Sequence, residues 1–125
     1  MLKQLTIRNY VLVDALDISF AAGLTGITGE SGAGKSILLG ALSLLLGERA
    51  KTDCVRPGAD KADISAEFEI LAAGFLQTKL ATDELLEDGD THCLVRRVIS
   101  AEGRSRAFIN SIPVTLQYLK DISEH

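Results

Sequence analysis

The sequence predicts an α/β fold organised around one phosphate-binding turn, and three observations carry that prediction. A glycine-rich stretch, TGITGESGAGKSILLG, runs from Thr25 to Gly40; a short apolar run precedes it; a long apolar helical pattern follows it. Backbone freedom and one lysine are thus concentrated at a single strand-to-helix junction.

The flanking elements follow in order. LKQLTIRNY and LVDALDISF each alternate apolar and polar positions, with Leu5 and Ile7 on one face and Leu16, Ile18 and Phe20 on another, the pattern of two paired strands. Ala22 and Gly23 make a turn, and Leu24 to Thr28 reads as a short buried strand entering the glycine loop. A helix is predicted from near Lys35 to about Leu46, with Ile37, Leu38, Leu42, Leu45 and Leu46 on a wide apolar face. Gly47 stops it, because a residue without a side chain suits the left-handed turn after a helix. GERAKTDCVRPGADKAD, carrying Pro57 and Gly58, is an irregular loop of functional length. ISAEFEI alternates through Ile64, Ala66, Phe68 and Ile70 as a strand with one wet face, and Ala72 to Leu86 is weakly helical. HCLVRRVIS and SRAFINSI flank the glycine-bearing turn AEGR and predict an antiparallel hairpin. From Val114 to His125 the spacing of Leu116, Leu119 and Ile122 predicts an amphipathic helix. No internal repeat or low-complexity tract interrupts this order.

A chain of 125 residues with 46% hydrophobic content fits one compact domain, or one lobe of something larger. Thirteen Lys and Arg against 17 Asp and Glu give a formal charge of −4, so no global positive field draws the chain to nucleic acid or an anionic membrane. Any DNA contact must be local. Cys54 and Cys93 lie far apart without a C-x-x-C, and no secretory leader is visible, which predicts a reducing cytoplasm and no disulfide scaffold. The longest apolar segment, Ile37 to Leu46, is too short to cross a bilayer.

Gly29, Glu30, Ser31, Gly32, Ala33, Gly34, Lys35 and Ser36 fit G-x-x-x-x-G-K-[ST] at every fixed position. The glycines let consecutive N–H groups turn inward as a nest for the β-phosphate of a nucleotide, and the following helix adds its unpaired amides and positive dipole end. Lys35 reaches the β- and γ-phosphates, and the Ser36 hydroxyl is placed to ligate Mg²⁺. Four fixed positions arise by accident in a chain of this length with odds on the order of one in a few hundred, and the strand-then-helix context lowers that further. The Glu30 carboxylate must point away from the phosphates.

Hydrolysis also needs a carboxylate in the magnesium shell, ordinarily at the end of an apolar strand. Ile64 to Glu67 is broken by Ser65, and only two apolar residues precede Glu87-Asp88. Neither serves. With the last helical pattern still open at His125, residues 1–125 read as the N-terminal half of a nucleotide-binding unit, inactive in hydrolysis alone. A guanine-reading N-K-x-D is absent, which argues against a GTPase, and a small kinase would need acceptor residues and a lid.

The opening LTIRNYVLVDALDISFAAGLTGITGESGAGKS, then LLLGERA, VRPGADKADISAEFEI and LVRRVISAEGRSRAFINSIPVTLQYL, resembles in order and spacing the N-terminal head segment of the RecN family, bacterial DNA double-strand-break repair proteins related to SMC proteins. Glu30 matches an acid common in RecN-like loops, whereas Ser31 stands where Thr is frequent. The resemblance implies the N-terminal lobe of an ABC-type ATPase head with an antiparallel β subdomain. It implies ATP and Mg²⁺ as cofactors, the C-terminal half of the same head supplying the signature motif and magnesium-holding acids, and a second protomer closing over ATP. DNA is the implied further partner, the cytoplasm and nucleoid the implied location, and no membrane is involved. Two readings stay open beside it: the nucleotide-binding subunit of another ABC-type ATPase, SMC-like or transporter, and a clamp that holds nucleotide without turnover.

Arg56 resembles the arginine that SMC-type heads direct toward nucleotide or DNA; otherwise it is a solvated loop charge. Arg96, Arg97, Arg104 and Arg106 surround the hairpin with Glu102 alone opposing them, so Arg97, Arg104 and Arg106 are candidates for DNA contact, although alternation sends Arg96 and Arg97 to opposite faces. Tyr10 either stacks on adenine or packs in the core. His92 and Cys93 also point to opposite faces, which disfavours a metal site, and Asn110 caps a turn.

Overall fold

The computed structural model describes residues 2–19, 32–50, 54–87 and 89–123. The strand expected at Leu24 to Thr28 lies outside them. Among the described residues six strands form one sheet: β1 (Leu2–Tyr10), β2 (Val13–Ser19), β3 (Lys61–Glu69), β4 (His92–Ser100), β5 (Ser105–Ile109) and β6 (Ile112–Val114). Their order is β2-β1-β3-β4-β5-β6, and every neighbouring pair is antiparallel. Three helices accompany the sheet: α1 (Gly32–Leu45), α2 (Phe75–Thr82) and α3 (Leu116–Ser123).

Alternation decides which face is covered. Leu5 and Ile7 of β1, Ala62, Ile64 and Ala66 of β3, Val95 and Ile99 of β4, and Ala107 and Ile109 of β5 are all buried on one side. Register aligns them in rows, Leu5 opposite Ala66 and then Val95 and Ile109. Burying such rows is the main favourable term in folding, about 25 cal/mol per Å² of apolar surface. Residues between them face outward: Arg8 pairs with Asp17 at 3.1 Å, and Arg96 donates to Asp63 at 3.0 Å.

The helix α1 lies against β3 and β4 through Leu38, Ala41, Leu44 and Leu45. It begins at Gly32, three residues before the position that propensity suggests, so the last glycines of the loop already belong to its first turn. The end is as predicted: Gly47 takes φ +100, and its amide donates to the Leu44 carbonyl at 3.2 Å. A Cβ there would come within 2.9 Å of the Leu116 carbonyl and the Lys120 amide, so glycine also permits α3 to abut the end of α1. Tyr118 fixes α3 from the other side by donating to Asp83 at 2.6 Å; burial and that bond push its phenol well above the usual range.

Three segments differ from the sequence expectation. The weakly helical stretch from 72 to 86 contracts to α2, bounded by Gly74 and Asp83, because Ala73 and Glu84 adopt left-handed φ of 59 and 61. SRAFINSI is two strands, β5 and β6, since Asn110 and Ser111 both take positive φ, 49 and 70, and reverse the chain in a two-residue turn. Asn110 is a turn residue as expected, its side chain accepting from the Leu94 amide at 2.9 Å and donating to the Leu85 carbonyl at 2.8 Å. The loop after α1 is stitched to the end of β1, with Tyr10 bridging Val55 and the amides of Val11 and Arg56 donating to the carbonyls of Cys54 and Asn9. These bonds hold Val11 at φ 53, a strained value for a β-branched residue.

Two predictions follow from this packing. A Cβ on Gly40 would sit 2.5 Å from the Tyr10 hydroxyl oxygen but 3.6 Å from its ring carbon. Gly40→Ala alone should destabilise the fold by about 1–2 kcal/mol through overpacking and lower its melting temperature, whereas Gly40→Ala with Tyr10→Phe should recover that loss, because alanine is the better helix former. Equal melts for Gly40→Ala with and without Tyr10→Phe would remove the contact from the account. Burial pushes the Cys93 thiol up to about 11, with Asp90 adding to the effect. An acid raised by folding keeps its proton while the unfolded chain ionises, so its contribution is intact below the ordinary thiol range and is lost as pH rises toward 11. Alkylation of Cys93 in the native protein should therefore stay slow through pH 9 and accelerate toward 11; rapid native labelling at pH 8 would contradict it.

Candidate phosphate-binding site

Gly32, Ala33, Gly34 and Lys35 form the first turn of α1. Their four amides have no carbonyl four residues back within the helix and so lack intrahelical partners. No acidic residue occupies that turn, and Ser36, directly after it, is exposed. This donor set fits a phosphate chain with its magnesium: free amides and a positive dipole end for the anion, and an accessible hydroxyl for the cation. Gly29, Glu30 and Ser31 lie outside the described residues.

The secondary candidates separate. Tyr10 is 7% exposed, with its hydroxyl against Gly40 beneath α1, so it is a core residue and no adenine platform. Burial raises its phenol, and the neighbouring Cys54 adds to the shift. Arg56 is half-buried, its backbone tied to Asn9 at the end of β1 and its carbonyl accepting from Ala59.

The arginines around the hairpin do not form one patch. Arg96 faces outward, bound by Asp63 and lying 5.8 Å over the Phe108 ring. Arg104 and Arg106 are exposed, and no carboxylate among the described residues pairs with them. Arg97 corrects the expectation of a DNA contact: it is fully buried, because β4 turns it inward with Val95 and Ile99. Its guanidinium donates to the carbonyls of Leu44 and Glu48, each at 2.7 Å, and to the Ser105 hydroxyl at 2.8 Å. Burial lowers its pKa, although it remains a cation. Sequence reasoning separated it from Arg96 but did not find this inward role; the signal was an arginine in the same alternation class as Val95 and Ile99. His92 points outward to Glu67 at 3.3 Å while Cys93 is buried, as alternation requires.

A family model described as an AAA domain matches residues 4–123. DNA repair protein RecN of Haemophilus influenzae is 47% identical over 126 residues, covering 100% of this chain and 23% of that protein. Its namesake in Xylella fastidiosa is 45% identical over 125 residues, covering 100% and 22%. The chain therefore spans between 22% and 23% of the length of these relatives. Among solved structures, a chain from work on the structural biochemistry of ATP-driven dimerization and DNA stimulated activation of SMC ATPases superposes with a TM-score of 0.74 at 21% identity, covering 98% of this chain and 77% of that one. At that identity the likeness is one of fold, and the fold is the N-terminal lobe of an ABC or SMC-like ATPase head. The chain belongs to the AAA-domain family, and its kin there are proteins named DNA repair protein RecN.

Proposed function

We propose that this chain is the ATP-binding lobe of a RecN-type DNA repair ATPase, in which ATP and magnesium bind at Gly29 to Ser36 and drive two heads together on DNA. One observation carries the reading: the motif's second half is the first turn of a helix packed on a sheet, so its amides are free and held in a fixed direction. Bound magnesium neutralises charge on the β- and γ-phosphates. The chain's own residues bind and orient. Amides from 29 to 35 cradle the phosphates, Lys35 adds a cation, and Ser36 offers its hydroxyl to the metal.

Hydrolysis then depends on groups beyond this lobe: the signature motif and magnesium-holding acids in the C-terminal half of the head, completed by a second protomer. RecN kinship supports the repair role, and the SMC fold supports the two-headed arrangement. Among the described residues no helix is long and apolar enough to cross a membrane. A cytoplasmic, nucleoid-associated protein is the setting consistent with DNA as substrate. Arg104 and Arg106 are the cations of this lobe offered to a phosphate backbone, while Arg56, tied to the end of β1, is offered to nucleotide or to the facing head.

In the full-length protein, Lys35→Ala should weaken magnesium-ATP binding at least tenfold by calorimetry and reduce turnover about a hundredfold or more, the loss expected when a charge on the transferring phosphoryl group is removed. Unchanged turnover in Lys35→Ala would leave a clamp that holds nucleotide without using it, or no nucleotide site. Replacing Arg104 and Arg106 together by alanine should weaken duplex binding and reduce the slope of log affinity against log salt by up to about two. An unchanged slope removes both residues from the DNA surface.

A further inference from the structure

Position 97 is the anomaly of the covered sheet face. Register sets it in a row that crosses all six strands: Leu16, Ile7, Ile64, Arg97, Ala107 and Val114. Every other member is apolar. A guanidinium there bears a desolvation cost that an apolar side chain of similar reach does not, and replacing buried charges by such side chains is often neutral or stabilising. No carboxylate among the described residues offsets it, and one of its terminal nitrogens, Nη2, has no hydrogen-bond partner. Burial of the charge alone gives no reason to keep an arginine.

Its partners give one. Nη1 takes the carbonyls of Leu44, in the last turn of α1, and of Glu48, just past the helix end, while Nε is held by Ser105 on β5. The last carbonyls of a helix lack intrahelical partners, and a cation there also meets the negative end of the dipole. Arg97 therefore bolts the far end of α1 to the centre of the sheet. Ala107, opposite it, leaves room for the side chain.

The near end of α1 is the phosphate-binding turn. A helix of 14 residues is about 21 Å long, so a tilt of about 5° pivoted at one end displaces the other by roughly 2 Å. A displacement of about 1 Å at a reacting group can cost a hundredfold in rate. The apolar packing of Leu38, Ala41, Leu44 and Leu45, the close approach of Gly40 to the Tyr10 hydroxyl and that of Gly47, just past the helix, to α3 set distance. The paired bonds from Arg97 set direction.

We propose that Arg97 is a positioning residue for nucleotide binding: by gripping the carbonyl end of α1 from inside the sheet, it fixes the direction of the amides at Gly32–Lys35. The proposal rests on the nucleotide reading above. Its test compares wild type, Arg97→Met, Arg97→Lys and Lys35→Ala in the full-length protein, by thermal melting, magnesium-ATP calorimetry and steady-state hydrolysis. Arg97→Met should still melt cooperatively, somewhat below wild type because the Leu44 and Glu48 carbonyls lose a donor, yet in its folded fraction bind at least about tenfold more weakly, and lose about a hundredfold in kcat/KM. Arg97→Lys, whose ammonium grips the carbonyls without the planar fork, should recover part of both losses. A purely structural role would move the melt and leave nucleotide affinity in the folded fraction unchanged.

Wild-type affinity and turnover in a folded Arg97→Met overturn the proposal while Lys35→Ala remains impaired. If Lys35→Ala also behaves as wild type, the nucleotide reading itself fails and takes the proposal with it. Should Arg97→Met fail to melt cooperatively, Arg97→Lys decides: a threefold to tenfold weaker affinity, on the order of a lost hydrogen bond, supports the role, and wild-type affinity overturns it.

Discussion

An α-helix cannot satisfy its own ends, and the fold is arranged around that constraint at α1. Its first four amides and last four carbonyls have no partners within the helix. The carbonyl end is closed from within the protein, by Arg97 from β4 and by the left-handed Gly47. The amide end carries no acidic side chain in its first turn. The carbonyl end is thus paired to the sheet, while the amides at the other end lack intrahelical partners where the glycine motif enters. That asymmetry, more than the presence of glycines, is what the proposed anion site rests on.

The antiparallel sheet serves the same end. Its covered face offers α1 a bed of small and branched residues, with Ala62, Ile64 and Ala66 of β3 beside Val95 and Ile99 of β4. Small residues admit the helix closely, and branched ones resist rearrangement because their side chains have few rotamers. The strained Asn9–Val11 turn belongs to this bed too. It holds Tyr10 under Gly40 and ties the segment after α1 to β1 through Val55 and Arg56, so β1 contacts both the middle of the helix and the loop that follows it. Local backbone strain of this kind persists where surrounding bonds over-determine it.

How much of this was legible depended on whether a signal was local. Alternation in β1, β3 and β4 announced the strands and the covered face, and AEGR and Gly47 marked their turns because glycine conformations are read one residue at a time. The motif is a local signal of the same kind, and the helix expected after its glycines is α1. The start of α1 was not legible, since Gly32 and Gly34 have poor helix propensity and become helical through context. Nor was β6, which needs a serine at φ 70 and carries Pro113, a residue confined to edge strands, next to its turn. The grip of Arg97 is a contact over 49 to 53 residues of sequence. Alternation could say that Arg96 and Arg97 part company, but which of them turns inward is settled by the whole sheet.

Charge placement follows from that sheet. Of the four arginines around the hairpin, one is neutralised by Asp63 and one is spent inside on helix carbonyls, leaving Arg104 in the exposed turn and Arg106 at the start of β5. In a chain of net charge −4, the hairpin thus offers two exposed cations rather than a positive face. Screening limits such charges to about 10 Å at moderate ionic strength, so their reach is short. Buried and exposed arginines therefore differ in a way that sequence composition alone would have merged: one ties the carbonyl end of α1 to the sheet, and the others keep their charge at the surface.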